Sequence, residues 1–238
     1  YYDDVALRGL QLAANDVVRG TLAPARLEEF RTAVDELVRD LDRYDDDFPP
    51  PEEEERTVAG PTIDQQELPK EPPPERGPPD RTLLPPLWQT ATPVMCIAGR
   101  GPLDEAAAAM LVQLLEKHGL GARLVPHEAV SRTNVGSLDV EGVAMVCISY
   151  LDISGNPAHL RYLLRRLRER LPGVPLLVGL WPAQDPILWD KDRRRAVGAD
   201  FYVSTLREAV EACLDTAMQA ARPEAPETAP SIVAHGAG

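Results

Sequence analysis

The chain has 238 residues, 44% of them hydrophobic, and a formal net charge of -13, which suits one full domain with its own core plus something smaller. With 38 acidic residues against 25 Lys plus Arg it lacks the basic face that binding phosphates requires, which argues against a nucleic-acid partner. No apolar run approaches the roughly 18 residues of a membrane span, and no signal peptide heads the chain. It opens YYDDVALRGL without a methionine, so it is expected to be a soluble piece of a longer polypeptide.

Residues 1–19 and 24–43 read as two helices. In the second, Leu27, Phe30, Val34, Leu37, Val38 and Leu41 recur every three or four positions and form one stripe. Gly20 ends the first helix and Pro24 suits the first turn of the second. Two such helices cannot bury their stripes in each other alone. The hairpin, over 1–44, must dock on the domain that follows, on another copy of the chain as a homo-oligomer, or on a preceding segment.

Of the 24 prolines, 12 fall between residues 45 and 92, beside acid runs such as DDDFPPPEEEE. This composition cannot bury enough apolar area to offset an ordering entropy of about 1–2 kcal/mol per residue, so a disordered or extended linker is expected over 45–92, with LLPPLW at 83–88 touching the fold at its end. The Pro/Ala-rich residues 222–238 read as a frayed tail.

Between them, apolar runs at 93–98, 122–126, 143–150, 174–181 and 201–204 alternate with helical segments at 103–118, 156–171, 190–197 and 206–221. A further short helix or loop is expected at 128–137. Continuous apolar strands mean that both sheet faces are covered, and strand–helix alternation forces right-handed crossovers. The spacing predicts an α/β domain over 93–221: a five-stranded, doubly wound parallel sheet of flavodoxin-like order 2-1-3-4-5. Cys96, Cys147 and Cys213 each sit within an apolar segment, without a CxxC pair, and read as buried small hydrophobes rather than a disulfide or metal set. The helix RYLLRRLRER at 161–170 is a basic strip, read as a solvated face that could also meet an acidic partner or anionic headgroups.

Ligands of open parallel sheets bind outside the carboxyl ends of the strands, near the switch in strand order. A pocket there would draw on Arg100, His127, Ser149, Trp181, Ser204 and Thr205. Arginine and serine could clamp a small anion, and tryptophan could stack on a flat ligand. The corner GRGPLDE after the first strand holds only two of the three glycines of a dinucleotide-binding turn. Pro102 has no amide donor, and Asp104 and Glu105 put negative charge where phosphates would sit. A phosphoacceptor receiver domain would need an acidic pair after the first strand, an aspartate closing the third and a lysine closing the fifth, where this chain has Ala98-Gly99, Ser149 and Ser204. His127 could carry a proton in a cleft, although such a residue is more often a hydrogen-bonded loop histidine. No nucleophile elbow is present, and no cofactor, metal or enzymatic activity is assigned.

Ser149-Tyr150-Leu151 resembles the Ser-x-Leu of cobalamin-binding domains, LVGLW at 177–181 resembles half of that family's paired glycines, and the helical hairpin is similar to its helical cap. The family's Asp-x-His-x-x-Gly is absent, since Gly101, Leu103 and Ala106 occupy the matching places. The resemblance therefore implies a shared fold without the histidine-ligated cofactor. Across both folded parts, the opening residues 1–41 together with AMLVQLLEKHGLGARLVP, VCISYL, HLRYLLRRLRERLPGVPLLVGLW and AVGADFYVSTLREAVE resemble the cytosolic carboxyl-terminal region attached, in some bacteria, to permeases of the autoinducer-2 exporter family. That resemblance implies a transmembrane permease region upstream in the same polypeptide and a place on the cytoplasmic side of the inner membrane. It supplies no reaction or ligand. Two readings follow: a non-enzymatic accessory or regulatory domain of a permease, and a small-molecule sensor or degenerate cobalamin- or nucleotide-binding module using the strand-end pocket.

Overall fold

Five short apolar strands lie side by side, all parallel: β1 Val94–Ala98, β2 Ala122–Val125, β3 Met145–Tyr150, β4 Leu176–Leu180 and β5 Phe201–Val203. The computed structural model describes residues 1–43, 79–151, 157–181 and 186–221, and in it the strand order is β2-β1-β3-β4-β5, as the alternation of strands and helices predicts. The three central strands are buried at every position. The edge strands are not, and Leu124 and Phe201 face solvent there. This is the burial expected where helices cover both faces and only the edges meet water.

The covering helices sort by face. α3 (Pro102–Lys117) and α7 (Leu206–Ala220) pack with Cys96, Met145, Cys147 and Leu177 on one side of the sheet. On the other side α4 (Ala158–Arg170) and α6 (Lys191–Val197) pack with Met95, Ile97, Ile148 and Val178. Between β2 and β3 two 3-10 turns, His127–Val130 and Val135–Ser137, replace a helix, and they bury Val130 and Val135. A four-residue helix, α5 (Pro186–Trp189), precedes α6 and gives too short a pattern to be read from sequence, being a single turn that opens on a proline. All three cysteines are free and buried, with Cys147 Sγ 3.5 Å from Cys213 Sγ.

The N-terminal hairpin takes the first of its three alternatives. A π-helical turn, Tyr2–Ala6, runs into α1 (Leu7–Val18), and Gly20, at φ +70°, makes the reversal before α2 (Pro24–Asp42). Leu7, Leu10, Ala13, Ala14 and Val34 join the core beneath α3 and α7, giving that side a third layer. The docking is specified by a buried polar residue of α3. Gln113 accepts a hydrogen bond from the Tyr2 hydroxyl and donates one to the Val38 carbonyl at 2.5 Å, while Lys117 Nζ donates to the Leu41 carbonyl at 3.1 Å.

Of the expected linker, residues 45–78 lie outside the described residues, as do residue 44 and the tail from 222. Its last part belongs to the fold. Two 3-10 turns, Arg81–Leu83 and Pro86–Gln89, bury Leu84 and Trp88 against the core, so LLPPLW touches the domain as its apolar content predicts. Burial of a large apolar side chain is worth about 1.5–3 kcal/mol, which offsets part of the entropy of ordering the segment. Gly121 allows the approach, since a Cβ there would lie 2.0 Å from the Ala91 carbonyl oxygen.

Candidate functional site

The crossovers from β1 and β3 lead to opposite faces, so the loops leaving their carboxyl ends part and open a crevice. A cleft of about 510 Å³ occupies it. Gly99 and Arg100 line it from the end of β1, His127, Glu128, Ser131 and Asn134 from the turns after β2, and His159 from the first turn of α4.

Its back wall is the corner between β1 and α3. Asp104, third residue of α3, turns its carboxylate back into that corner, accepting the Arg100 N–H at 2.7 Å, the Leu151 N–H at 2.8 Å and the Gly101 N–H. The amides that would cradle a phosphate in a glycine-rich turn are thus already occupied by the protein's own anion, and Pro102 contributes none. Burial pushes the Asp104 carboxyl up to about 6, against the pull of its three N–H donors and of the Arg100 charge. The carboxylate also joins the loop after β1 to the loop after β3. Gly99 serves packing rather than phosphate approach: a Cβ there would sit 2.5 Å from the Tyr150 ring, whereas Gly101 has open space.

Tyr150, itself buried, reaches the cleft through His159, its hydroxyl 2.9 Å from Nδ1. Burial holds the phenol well above its ordinary pKa, with the Asp104 charge adding to the effect, so the hydroxyl stays protonated and can donate to Nδ1. Burial, then the charges of Arg100 and Arg132, lower the His159 pKa, which favours the neutral ring. On the other wall the Glu105 carboxylate Oε1 accepts the His127 backbone N–H at 3.0 Å and lies 2.6 Å from its Nδ1, while Glu128 Oε2 is 3.3 Å from the same nitrogen. The ligating atoms of Glu105, His127 and Glu128 all fall within 4.8 Å of one another, a grouping that the sequence reading did not foresee when it assigned no metal.

The structure brings Arg100 and His127 of the expected set together and places the other four elsewhere. Ser149 is fully buried in β3, between Ala98 and Gly179. Trp181 is 2% exposed, and its indole lies over Gly179, where a Cβ would come 2.3 Å from the ring. The surface that a flat ligand would need above Gly179 is filled by the chain's own side chain. Trp181 is further fixed by Gln11, whose Nε2 donates to its carbonyl at 2.7 Å. Ser204 and Thr205 sit at the start of α7, where the Thr205 side chain and Glu208 form a capping box and Asp3 accepts the Leu206 N–H at 2.6 Å. Their polar groups complete a helix end.

Sequence reasoning missed His159 and Glu105. Glu105 read as a helix-dipole acid, and only the fold brings it to His127 across 22 residues. His159 had a weak signal, a histidine in the first turn of the helix after β3. No family model matches the chain, and no curated protein matches it.

Proposed function

We propose that the chain is a non-enzymatic regulatory module that takes a small anionic molecule in the cleft at the switch point of its sheet. The observation that carries this reading is the division of labour at that edge. Asp104 consumes the amides of the corner, while Arg100, exposed on the cleft wall, faces a lining of hydroxyl, amide and imidazole groups from Ser131, Asn134 and His159. Guanidinium and neutral donors suit a carboxylate or phosphate group, and the acidic Glu128 on the rim favours a small ligand over a highly charged one. The fully buried Ser149 and cysteines leave the cleft without a nucleophile from those positions, which supports binding rather than covalent chemistry.

The setting of this module is the second part of the reading: an accessory domain on the cytoplasmic side of the bacterial inner membrane, joined to an upstream permease region. The resemblance to autoinducer-2 exporter-family permeases supports it. So does the outward face of the hairpin, which leaves Tyr1, Val5, Leu12 and Val18 exposed, an apolar surface suited to a further packing partner. No helix among the described residues is long and apolar enough to cross a membrane, so the spanning part belongs elsewhere in such an arrangement.

The test is a thermal-shift and calorimetric screen against small carboxylates, phosphates, nucleotides and cobalamins. A ligand at 100 times its dissociation constant adds about 2.7 kcal/mol of stability. Binding abolished by Arg100→Ala supports the cleft; binding of a cobalamin or nucleotide that survives this substitution would overturn it. Co-purification of the chain with the upstream membrane region, lost on Leu12→Asp, checks the setting.

A further inference from the structure

Glu105 and Glu128 converge on one nitrogen. Nδ1 of His127 lies 2.6 Å from Glu105 Oε1 and 3.3 Å from Glu128 Oε2. A ring nitrogen carries at most one hydrogen, so it cannot serve two carboxylates with good geometry, and the contact to Glu128 is too long to be a strong bond. The same arrangement suits a cation in place of that hydrogen. In a tetrahedral site with bonds of about 2.0–2.1 Å, ligand atoms stand about 3.3 Å apart. The Glu128 separation already has that value, and the Glu105 contact reaches it by a small side-chain rotation.

The surroundings fit as well. The Glu105 and His127 side chains are 16% and 24% exposed, so two of the three ligands are held in place, while Glu128, at 68%, is free to close. The His127 backbone N–H donates to Glu105 Oε1 at 3.0 Å and orients that carboxylate, the kind of outer bond that supports a metal ligand. His127 and Glu128 both line the cleft, which leaves a coordination position open to water or a ligand. One imidazole and two carboxylates make a nitrogen–oxygen set without thiolate, matched to zinc, cobalt or manganese rather than to copper(I). A divalent ion would balance the two carboxylate charges.

We propose that Glu105, His127 and Glu128 form a binding site for a divalent transition-metal ion of the zinc class, open toward the cleft. The site stands independently of the anion reading, since the metal alone is its ligand and Arg100 has no part in it. The experiment is titration of the metal-free full chain with Co²⁺ alone at neutral pH, followed by its visible ligand-field absorption, and then displacement by Zn²⁺. One ion per chain is expected, with the absorption of a low-coordinate site. Affinity should fall at least about tenfold in Glu128→Gln and be lost in His127→Ala. Because Glu128 is exposed, Glu128→Gln keeps the native melting temperature, so its weakened binding reports the site and not the fold. The absence of stoichiometric binding at millimolar Co²⁺, or binding unchanged in Glu128→Gln and His127→Ala, would overturn the proposal.

Discussion

On one face of the sheet α3 and α7 are themselves covered by the α1–α2 hairpin, whereas on the other α4 and α6 are the outer layer, and the cleft opens beside α4. The starts of the helices do not divide in the same way. On the covered side, Asp104 of α3 holds the N–H groups of Arg100, Gly101 and Leu151 in the corner before its helix, and Thr205, Glu208 and the distant Asp3 cap α7. On the other face Asp190 caps α6, whereas at the start of α4 no side-chain cap is formed among the described residues, and His159 stands there at the cleft. Backbone amides at helix starts need acceptors, and at α6 and α7 the chain supplies its own side-chain oxygens.

Substitutions that separate the two sides can break this contrast, and the largest effect belongs to the covered side. Trp181→Ala should lower the unfolding free energy by about 3–5 kcal/mol in urea titrations, because it empties the space over Gly179 beneath the hairpin. Trp181→Phe should recover most of that loss, since Nε1 has no hydrogen-bond partner among the described residues. Gly99→Ala forces a methyl group into the Tyr150 ring and should cost about 1–3 kcal/mol. It should also disturb the His159 titration followed by NMR, since the ring that must move carries the hydroxyl bound to Nδ1.

Asp104→Ala strands the N–H groups of Arg100, Gly101 and Leu151 and should cost about 1–3 kcal/mol. Its pH signature is more specific. Because the folded pKa lies near 6, above the ordinary value of 3.8, the native state binds the Asp104 proton more tightly than the unfolded chain does. Stability therefore falls as pH rises from about 4 to 6, by up to about 3 kcal/mol from this group. That slope should vanish in Asp104→Ala. Gln113→Leu removes the polar docking of the hairpin and should cost about 1–2 kcal/mol, with faster hydrogen exchange confined to α1 and α2. The smallest effect on folding is expected of Arg100→Ala, within about 0.5 kcal/mol of the native protein, although anion affinity at the cleft should fall at least about tenfold. A large loss of stability in Arg100→Ala would mean that the cleft wall, too, is built for packing.

The sheet was legible in the chain because local pattern specifies it: unbroken apolar runs of four to eight residues alternating with amphipathic segments leave few other arrangements. The corner after β1 was legible in part. Pro102 and the acids of its helix start exclude a phosphate cradle by elementary chemistry, but that Asp104 folds back to hold the amides depends on where the loop after β3 arrives. Ser149 and Trp181 misled because strand-end position says which residues lie near the edge and not which face or depth they take. Trp181 continues the face of Gly179, and the missing side chain there gave its ring a place to lie.

The sequence by itself determined the parallel sheet, the apolar stripe of the hairpin and the exclusion of a nucleotide turn, because strand and helix periodicity, the missing amide of proline and the sign of charge are properties of neighbours along the chain. Only the tertiary structure decided where the hairpin docks, that Trp181 belongs to the core, and that Glu105, His127 and Glu128 meet at the cleft. Those outcomes rest on contacts between distant residues, such as the bond from the Leu206 N–H to Asp3, 203 positions apart. Spacing along the chain carries no distance across the fold until the crossovers bring the elements together.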